Sequence, residues 1–458
     1  MNKNEKIVFP PRYNCYEREG WHLLYDPLNV VWIRVNRDGM IILEALKQEG
    51  TIANAGGYLA KQFPLETIET IEKIVGAYVA NLANIGFLHP VEYRQKKWRH
   101  NYQDVPSDIY LMMTHQCNLK CVYCYNDADR EQFRQMDETE PEMSKDQYLQ
   151  FFEDAAALGV ERILFTGGEP LLNPFTLEAA RYVRQLGLKV EIITNGLMVT
   201  EANAAEMAET FDYISISLDS FKPETHEKMR GKRTHQRVLG SILLLKEKGA
   251  TVRVNSVITG NNVGEIPETW KYAVEELKCD SYTPSLYAPG SSDPEAWELL
   301  PEMETLWKEK KRAGQVLNKV PAVVTKTSSL RFSCGIANGE IGIAYDGSVY
   351  PCHLLHKPEL KCGNLKEKRL GEILEKSELM SRLRTFHIDQ NQQCRECDFR
   401  YLCGGGCLAM TYNIHGNFYE NRHLYCQYLK EEHLERMWTM TVSDIAGRNT
   451  IEKVQHGR

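Results

Sequence analysis

Between residues 106 and 290, apolar and polar positions follow two alternating rhythms. Short runs rich in β-branched and aromatic residues, "SDIYLMMT", "RILFTGGEP", "KVEIITNG", "DYISISLD", "TVRVNSVI" and "SYTPSLY", read as strands. Longer stretches between them, such as "DQYLQFFEDAAALG" and "HQRVLGSILLLKEKG", repeat apolar residues three or four apart, the spacing of a helix with one buried face. Strand and helix alternating in this way predict an α/β protein with a parallel sheet wound into a full or partial barrel. Its working groups belong at the C-terminal ends of the strands.

The flanking regions carry other patterns. Residues 1–95 predict a separate module, in which "WHLLYDP" and "VVWIRVN" form two short strands around a turn at Pro27 to Asn29. Three helices follow, over "DGMIILEALKQEG", "TIANAGGYLAKQF" and a long stretch from about Leu65, where Ile68, Ile71, Val75, Val79, Leu82 and Ile85 share a face. Strands followed by three helices make a winged-helix-like domain. The stretch "YRQKKWRHNY" reads as a solvated connector, and the acidic "DETEPEMSKD" as solvated charge. Residues 291–330 bridge to a third region, 331–430, where turns, glycines and cysteines dominate and metal is expected to stand in for a core. Residues 431–458 form a terminal helix and tail.

Composition narrows the function. With 458 residues, 43% hydrophobic and 26% charged, the chain is ordinary globular material for several domains. A net charge of −7 argues against a polyanionic partner, and therefore against nucleic acid. No run approaches the roughly 18 apolar residues of a membrane span, and the start, "MNKNEKIVFPPRYN", is too polar for a signal peptide. A cytoplasmic protein without a membrane partner is expected. Thirteen cysteines in such a chain favour metal or redox chemistry over a disulfide scaffold. Three of them lie at 117, 121 and 124, and eight run from Cys334 to Cys426.

The first group follows the first strand of the sheet region, in "THQCNLKCVYCYND". A structural zinc site closes with four protein ligands. A four-iron cubane held by three thiolates keeps one iron for a substrate or cofactor, and so makes a reactive site. A zinc knuckle with a distant fourth ligand, His115 being nearest, or three incidental thiols would also satisfy this stretch alone.

The spacing CxxxCxxC after a first strand, with "TGGEP", "ITNG" and "SISLDS" at the ends of the next three, resembles the radical S-adenosylmethionine (SAM) enzymes. The resemblance implies a partial (β/α)6 TIM-like barrel with a catalytic [4Fe–4S] cluster on Cys117, Cys121 and Cys124. It also implies SAM contacts: Tyr123 beside the adenine, Gly167, Gly168, Glu169 and Pro170 at the methionine amino group, Asn195 and Ser217 on the next strands, and Arg230 of "HEKMRG" at the carboxylate. In the third region Cys334, Cys352 (five residues after Gly347), Cys394, Cys397, Cys403, Cys407 and Cys426 resemble the iron-sulfur SPASM domain, which carries two auxiliary clusters. By that resemblance there are three [4Fe–4S] clusters, with Cys394, Cys397, Cys403 and Cys426 on the distal one and Cys334, Cys352 and Cys407 on the proximal one. Either Cys362 supplies a fourth proximal ligand or that position is open to a substrate thiolate. Cys15 and Cys279 are expected to be small buried hydrophobes.

The module in front resembles the leader-peptide recognition element of enzymes that modify ribosomally made peptides, the fold also seen in the small PqqD chaperone. An exposed strand edge, with "VVWIRVN" near it, would take up the leader as an added strand. A DNA-binding winged helix is the alternative, but the second and third helices hold only Lys61 and Lys73 as basic residues. Taken over the whole chain, the resemblance implies a maturase of a precursor peptide, leader plus core, fed electrons by a donor such as flavodoxin or ferredoxin. It would abstract a hydrogen with a 5'-deoxyadenosyl radical and form a Cys thioether crosslink. Carbon-carbon crosslinking, epimerisation or quinone-cofactor assembly is the enzymatic alternative, and a peptide-binding or electron-transfer iron-sulfur scaffold the non-enzymatic one. Related sulfatase-maturing enzymes carry a catalytic aspartate in a YPCD pattern where this chain reads "YPCH". That departure puts formylglycine formation in doubt and makes His353 a proton acceptor or a hydrogen bonder beside a cluster ligand.

Overall fold

The structure is a computed structural model, and it describes residues 2–97, 102–124, 142–290, 297–317 and 330–439. Part of the basic connector, the first half of "DETEPEMSKD", much of the bridging region and the tail beyond 439 lie outside the described residues.

The N-terminal domain runs β1 (Ile7–Val8), β2 (Asn14–Arg18), β3 (Trp21–Asp26), β4 (Val31–Val35), α1 (Arg37–Glu49), α2 (Ile52–Gln62), α3 (Ile68–Ile85) and β5 (His89–Pro90). Strands β2, β3 and β4 form an antiparallel sheet in that order, and β1 pairs with β5 across the domain's ends. The side chains of Asn36, Thr51 and Thr67 each accept the backbone N–H three residues on, so polar caps start all three helices. Gly50 and Gly86 end α1 and α3 in the left-handed conformation. The third helix starts at Ile68 rather than Leu65, and Ile68 is exposed while Ile71, Val75, Val79 and Leu82 are buried. The face of β3 that carries Leu24 joins Ile33 and Val35 against these helices. Leu23 and Tyr25, one residue out of phase, face the main core.

The sheet region supplies six strands: β6 (Asp108–Met112), β7 (Arg162–Thr166), β8 (Lys189–Thr194), β9 (Tyr213–Ser217), β10 (Val252–Ile258) and β11 (Ser281–Leu286). Each is parallel to the next, in sequence order, as the alternating pattern predicts. The crossovers contain α4 (Lys145–Leu158), α5 (Thr176–Gln185), α6 (Glu201–Thr210), α7 (Pro223–Arg230) and α8 (His235–Glu247). Ile109 and Leu111 pack with Phe151 and Phe152 of α4 in the main core, so Tyr110 and Met112 belong to the opposite face.

The third region departs from expectation, because it is not poor in regular structure or in core. Three strands, β12 (Glu340–Ile343), β13 (Ser348–Tyr350) and β14 (Gly363–Asn364), extend the same sheet beyond β6 to nine strands, with β12 parallel to β6 and the β12–β13 and β13–β14 pairings antiparallel. Ile341, Ile343, Val349, Leu370, Ile373, Met380, Leu383 and Phe386 are buried in the core that holds Ile109 and Phe151. Four-residue and shorter strands around a turn at Asp346 and Gly347 leave little periodicity to detect. The N-terminal domain rests on this region. Tyr25 stacks on Phe399 at 5.7 Å and donates to Asp398 O at 2.9 Å, and Arg18 grips Glu435 at 3.0 and 2.7 Å. Among the described residues no helix is long and apolar enough to cross a membrane.

Candidate active site

The chain leaves β6 at Met112 and turns through Thr114, whose Oγ1 donates to Glu142 Oε1 at 2.9 Å and accepts from Gln116 N–H at 3.2 Å. The loop after β7 is laced to this turn: Gly168 N–H donates to Thr114 O and Glu169 N–H to Gln116 O, both at 2.8 Å. A Cβ at Gly168 would sit 2.2 Å from Gln116 O and 2.5 Å from His115 O, so no other residue lets these backbones meet. The two glycines thus fix the approach to Cys117.

The cysteine loop closes beyond this lock. Cys117 Sγ accepts from Leu119 N–H at 3.4 Å, and Asn195 Nδ2 stands 3.9 Å from it while donating to Asn118 Oδ1 at 2.7 Å. Burial pushes the Cys121 thiol up to about 11 against the pull of the Arg230 guanidinium, and Cys124 and Cys117 are near enough for their charges to add to the rise. Three half-buried thiols on one short loop, none in a disulfide, are a soft donor set suited to iron-sulfur binding. Binding metal there displaces protons.

Glu169 is fully buried at the end of β7. Its Oε1 accepts from Thr194 Oγ1 at 2.7 Å and Leu171 N–H at 3.2 Å, and its Oε2 from Asn195 N–H at 2.8 Å. Burial pushes its carboxyl up, and those three bonds pull it down. Its visible work is to tie the "GGEP" loop to the end of β8. Ser217 is buried at the end of β9, and its backbone pairs with Asn255.

Arg230 and Tyr123 meet at a residue that the motif reading passed over. Arg230 is buried at the end of α7 and holds Asp219 with Nε at 2.6 Å from Oδ2 and Nη2 at 3.2 Å from Oδ1. Tyr123 hydroxyl donates to the same Oδ2 at 2.5 Å, and the guanidinium lies 5.4 Å from the Tyr123 ring centroid. Asp219 Oδ1 also accepts from Val257 N–H at 3.0 Å. Arg230 thus has an internal carboxylate partner in Asp219. The signal in the sequence was an acid directly after a strand end, inside "SISLDS", where a buried charge needs a partner.

In the third region the cysteines gather in two groups. Cys394, Cys397, Cys403 and Cys426 line one pocket with Phe399, Arg422 and His423. Burial pushes Cys394 up to about 12, with the charges of Cys403, Cys426 and Cys397 adding. Consecutive left-handed glycines, 404 to 406, turn the chain back after Cys403, and a Cβ on Gly406 would meet His423 at 2.6 Å. The other group is Cys334, Cys352 and Cys407. Cys352 is buried and its thiol pushed well up, by burial first, with Glu340, Cys407 and Cys334 adding. Both groups suit cluster ligation on the same grounds as the triplet. For Cys362, Sγ lies 3.6 Å from Leu360 O, and Ser377 is a further hydrogen-bond partner. Cys279 is buried as expected, but Cys15 is exposed on β2, 4.0 Å from His22 Nδ1, because β2 is an edge strand that alternates half-buried and exposed. His353 stacks on Tyr110 at 4.0 Å and places Nδ1 3.1 Å from Glu340 Oε1.

Comparison with known proteins agrees with this division. Residues 111–273 match the Radical SAM superfamily, and residues 334–398 match SPASM, an iron-sulfur cluster-binding domain. The chain is 27% identical over 352 residues to an AdoMet-dependent heme synthase of Methanosarcina barkeri, covering 71% of this chain and 97% of that protein. It is 26% identical over 333 residues to a PqqA peptide cyclase of Ruegeria pomeroyi, covering 68% and 86%. Among solved structures, Streptococcus suis SuiB bound to precursor peptide SuiA aligns with a TM-score of 0.58 at 17% identity, covering 92% of this chain and 100% of that one. At that identity the likeness is one of fold.

Proposed function

We propose that this chain is a radical SAM peptide-modifying enzyme that crosslinks a cysteine of a ribosomally made precursor peptide to a carbon as a thioether. The observation that carries the reading is the meeting of the CxxxCxxC loop, the "GGEP" loop and Asn195 at the C-terminal ends of adjacent parallel strands, with two further cysteine groups in the third region. A peptide cyclase and a precursor-bound enzyme among the relatives support a peptide substrate, and the heme synthases mark the principal alternative.

In this reading the sheet is a partial barrel, Cys117, Cys121 and Cys124 hold one [4Fe–4S] cluster, and the loop at 167–170 with Asn195 and Ser217 receives SAM. Reduced cluster and SAM together supply a one-electron carbon-sulfur cleavage that yields a hydrogen-abstracting carbon radical. The chain's own part is orientation and exclusion of water. Glu169 holds two strand ends at a fixed distance, and the Asp219 carboxylate fixes both Tyr123 and Arg230 beside the cysteine loop. The seven other cysteines hold two auxiliary clusters able to accept an electron when a crosslink closes. The N-terminal domain, winged-helix-like in this reading, binds the leader, and an external donor such as flavodoxin or ferredoxin supplies electrons.

The test is to incubate the anaerobically reconstituted, reduced protein with SAM and the small peptide encoded beside its gene, then take accurate masses after reduction and alkylation. Loss of two hydrogens per link with cysteines no longer alkylated is the expected result. Deoxyadenosine with every cysteine still alkylated leaves the radical chemistry standing and removes the thioether; absence of deoxyadenosine removes both.

A further inference from the structure

The three thiols Cys334, Cys352 and Cys407 pose a counting problem, since a cubane presents four irons. Cys362 faces Leu360 and Ser377 instead. Glu340 occupies the neighbourhood. Its Oε1 lies 3.2 Å from Cys352 Sγ and 3.1 Å from His353 Nδ1, and the three atoms fall within 4.8 Å of one another. The negative charge of Glu340 bears on Cys334, Cys352 and Cys407 alike. The backbone brings it there by topology: β12 begins at Glu340 and runs into β13, whose antiparallel return delivers Cys352 to the same end of the strand pair. At Gly342, between them, a Cβ would meet the Cys352–His353 backbone at 2.8 to 3.0 Å, so the close return requires glycine there.

We propose that Glu340 is the fourth protein ligand of the proximal auxiliary cluster, its carboxylate oxygen completing the Cys334, Cys352 and Cys407 set, with His353 donating a hydrogen bond that orients it. This rests on the reading that those three cysteines hold an iron-sulfur cluster. With the thiol protonated, Cys352 donates to Glu340 Oε1. His353, stacked on Tyr110 with Nδ1 3.1 Å from the same oxygen, is placed to hold that carboxylate in position. The site is then closed to a substrate thiolate, so the proximal cluster exchanges electrons and does not bind the peptide's cysteine. Its one hard oxygen ligand also distinguishes one iron from the other three.

The experiment uses the full chain with Cys117, Cys121 and Cys124 changed to Ala, reconstituted anaerobically with 57Fe and sulfide, so that only the two auxiliary sites are observed. Mössbauer and electron paramagnetic resonance spectra are compared for this protein and its Glu340→Gln, Glu340→Cys and Cys362→Ala forms. The distal cluster serves as the internal standard of folding. Glu340→Gln should lose one iron from the proximal cluster on mild oxidation, seen as a new [3Fe–4S] signal. Glu340→Cys should keep full iron and lower that cluster's midpoint potential, because thiolate is the stronger donor. Cys362→Ala should change neither. Proximal spectra and potential unmoved by both Glu340 changes, or moved by Cys362→Ala, overturn the ligation while leaving the cluster reading intact. Only one cluster's worth of iron in the starting protein overturns both.

Discussion

The Asp219–Arg230 pair offers the sharpest test of how the cysteine loop is held. The Arg230 side chain is 7% exposed and that of Asp219 fully buried, so removing either charge strands the other in a poorly solvated place. Breaking a buried ion pair from one side costs about 3 to 5 kcal/mol. With a urea slope of about 3 kcal/mol per molar for a domain of this size, Asp219→Asn or Arg230→Met should lower the unfolding midpoint of the cluster-free chain by about 1 M or more, followed by far-ultraviolet circular dichroism. The double variant Asp219→Asn/Arg230→Met should lose much less than the sum, since the two residues share one interaction and a coupling of about 0.5 to 3 kcal/mol is usual for contacting groups. Tyr123, whose hydroxyl donates to Asp219, loses its anchor in Asp219→Leu, so SAM cleavage by that reconstituted variant should fall even where the fold survives. Single variants whose midpoints move by less than about 0.2 M, or whose effects simply add, would refute the claim that this pair is a structural unit.

Other outcomes can be checked separately. Gly168→Ala should push the loop off Gln116 O and His115 O, and the purified protein should bind less iron, read as lower iron content and charge-transfer absorbance than the unsubstituted protein. Tyr25→Phe removes the bond to Asp398 O but keeps the stack on Phe399, and should lower the melting temperature of the N-terminal domain by the few degrees that about 1 kcal/mol represents. His226 is buried with Nδ1 accepting from Asp219 N–H at 3.2 Å, and burial pushes it down to about 4, against the pull of Asp219. The unfolded chain therefore binds a proton that the folded one refuses. Stability should fall as pH drops from about 6.5 towards 4, and His226→Asn should make that fall shallower in urea titrations at successive pH values.

The wound sheet was legible because each of its six strands is a short apolar run closed by a polar or glycine-rich turn, and every predicted strand starts within a residue of the observed one. Cysteine grouping was legible too, since spacing along the chain constrains which thiols can share a site. Other features were hidden for physical reasons. Strand β2, "NCYER", lies at an edge where even the inward-facing Asn14, Tyr16 and Arg18 are only half-buried, so its sequence carries no apolar alternation. The contribution of β12 to the main sheet is a pairing across more than two hundred residues, which no local pattern encodes. Asp219 and Glu340 act through partners brought from other parts of the chain, and only packing reveals them.

Strand β6 connects the two halves of the chemistry. The triplet follows its C-terminal end, while Glu340 pairs with Asp108 at its start, so the cysteine triplet and the Glu340 group stand at opposite ends of one five-residue strand. At about 3.3 Å per residue that strand spans roughly 15 Å. The face carrying Tyr110 lies between them, since His353 stacks on that ring from the Glu340 end. Near that end Arg162 binds Asp108 and Glu191 at 2.7 Å, and Arg253 adds a contact to Glu191, giving a charged floor that is already internally neutralised. A peptide carbon presented over this face would have the hydrogen-abstracting chemistry above it and an electron acceptor below. On the proposed assignment of the two cysteine groups, strand polarity therefore favours a substrate lying between them.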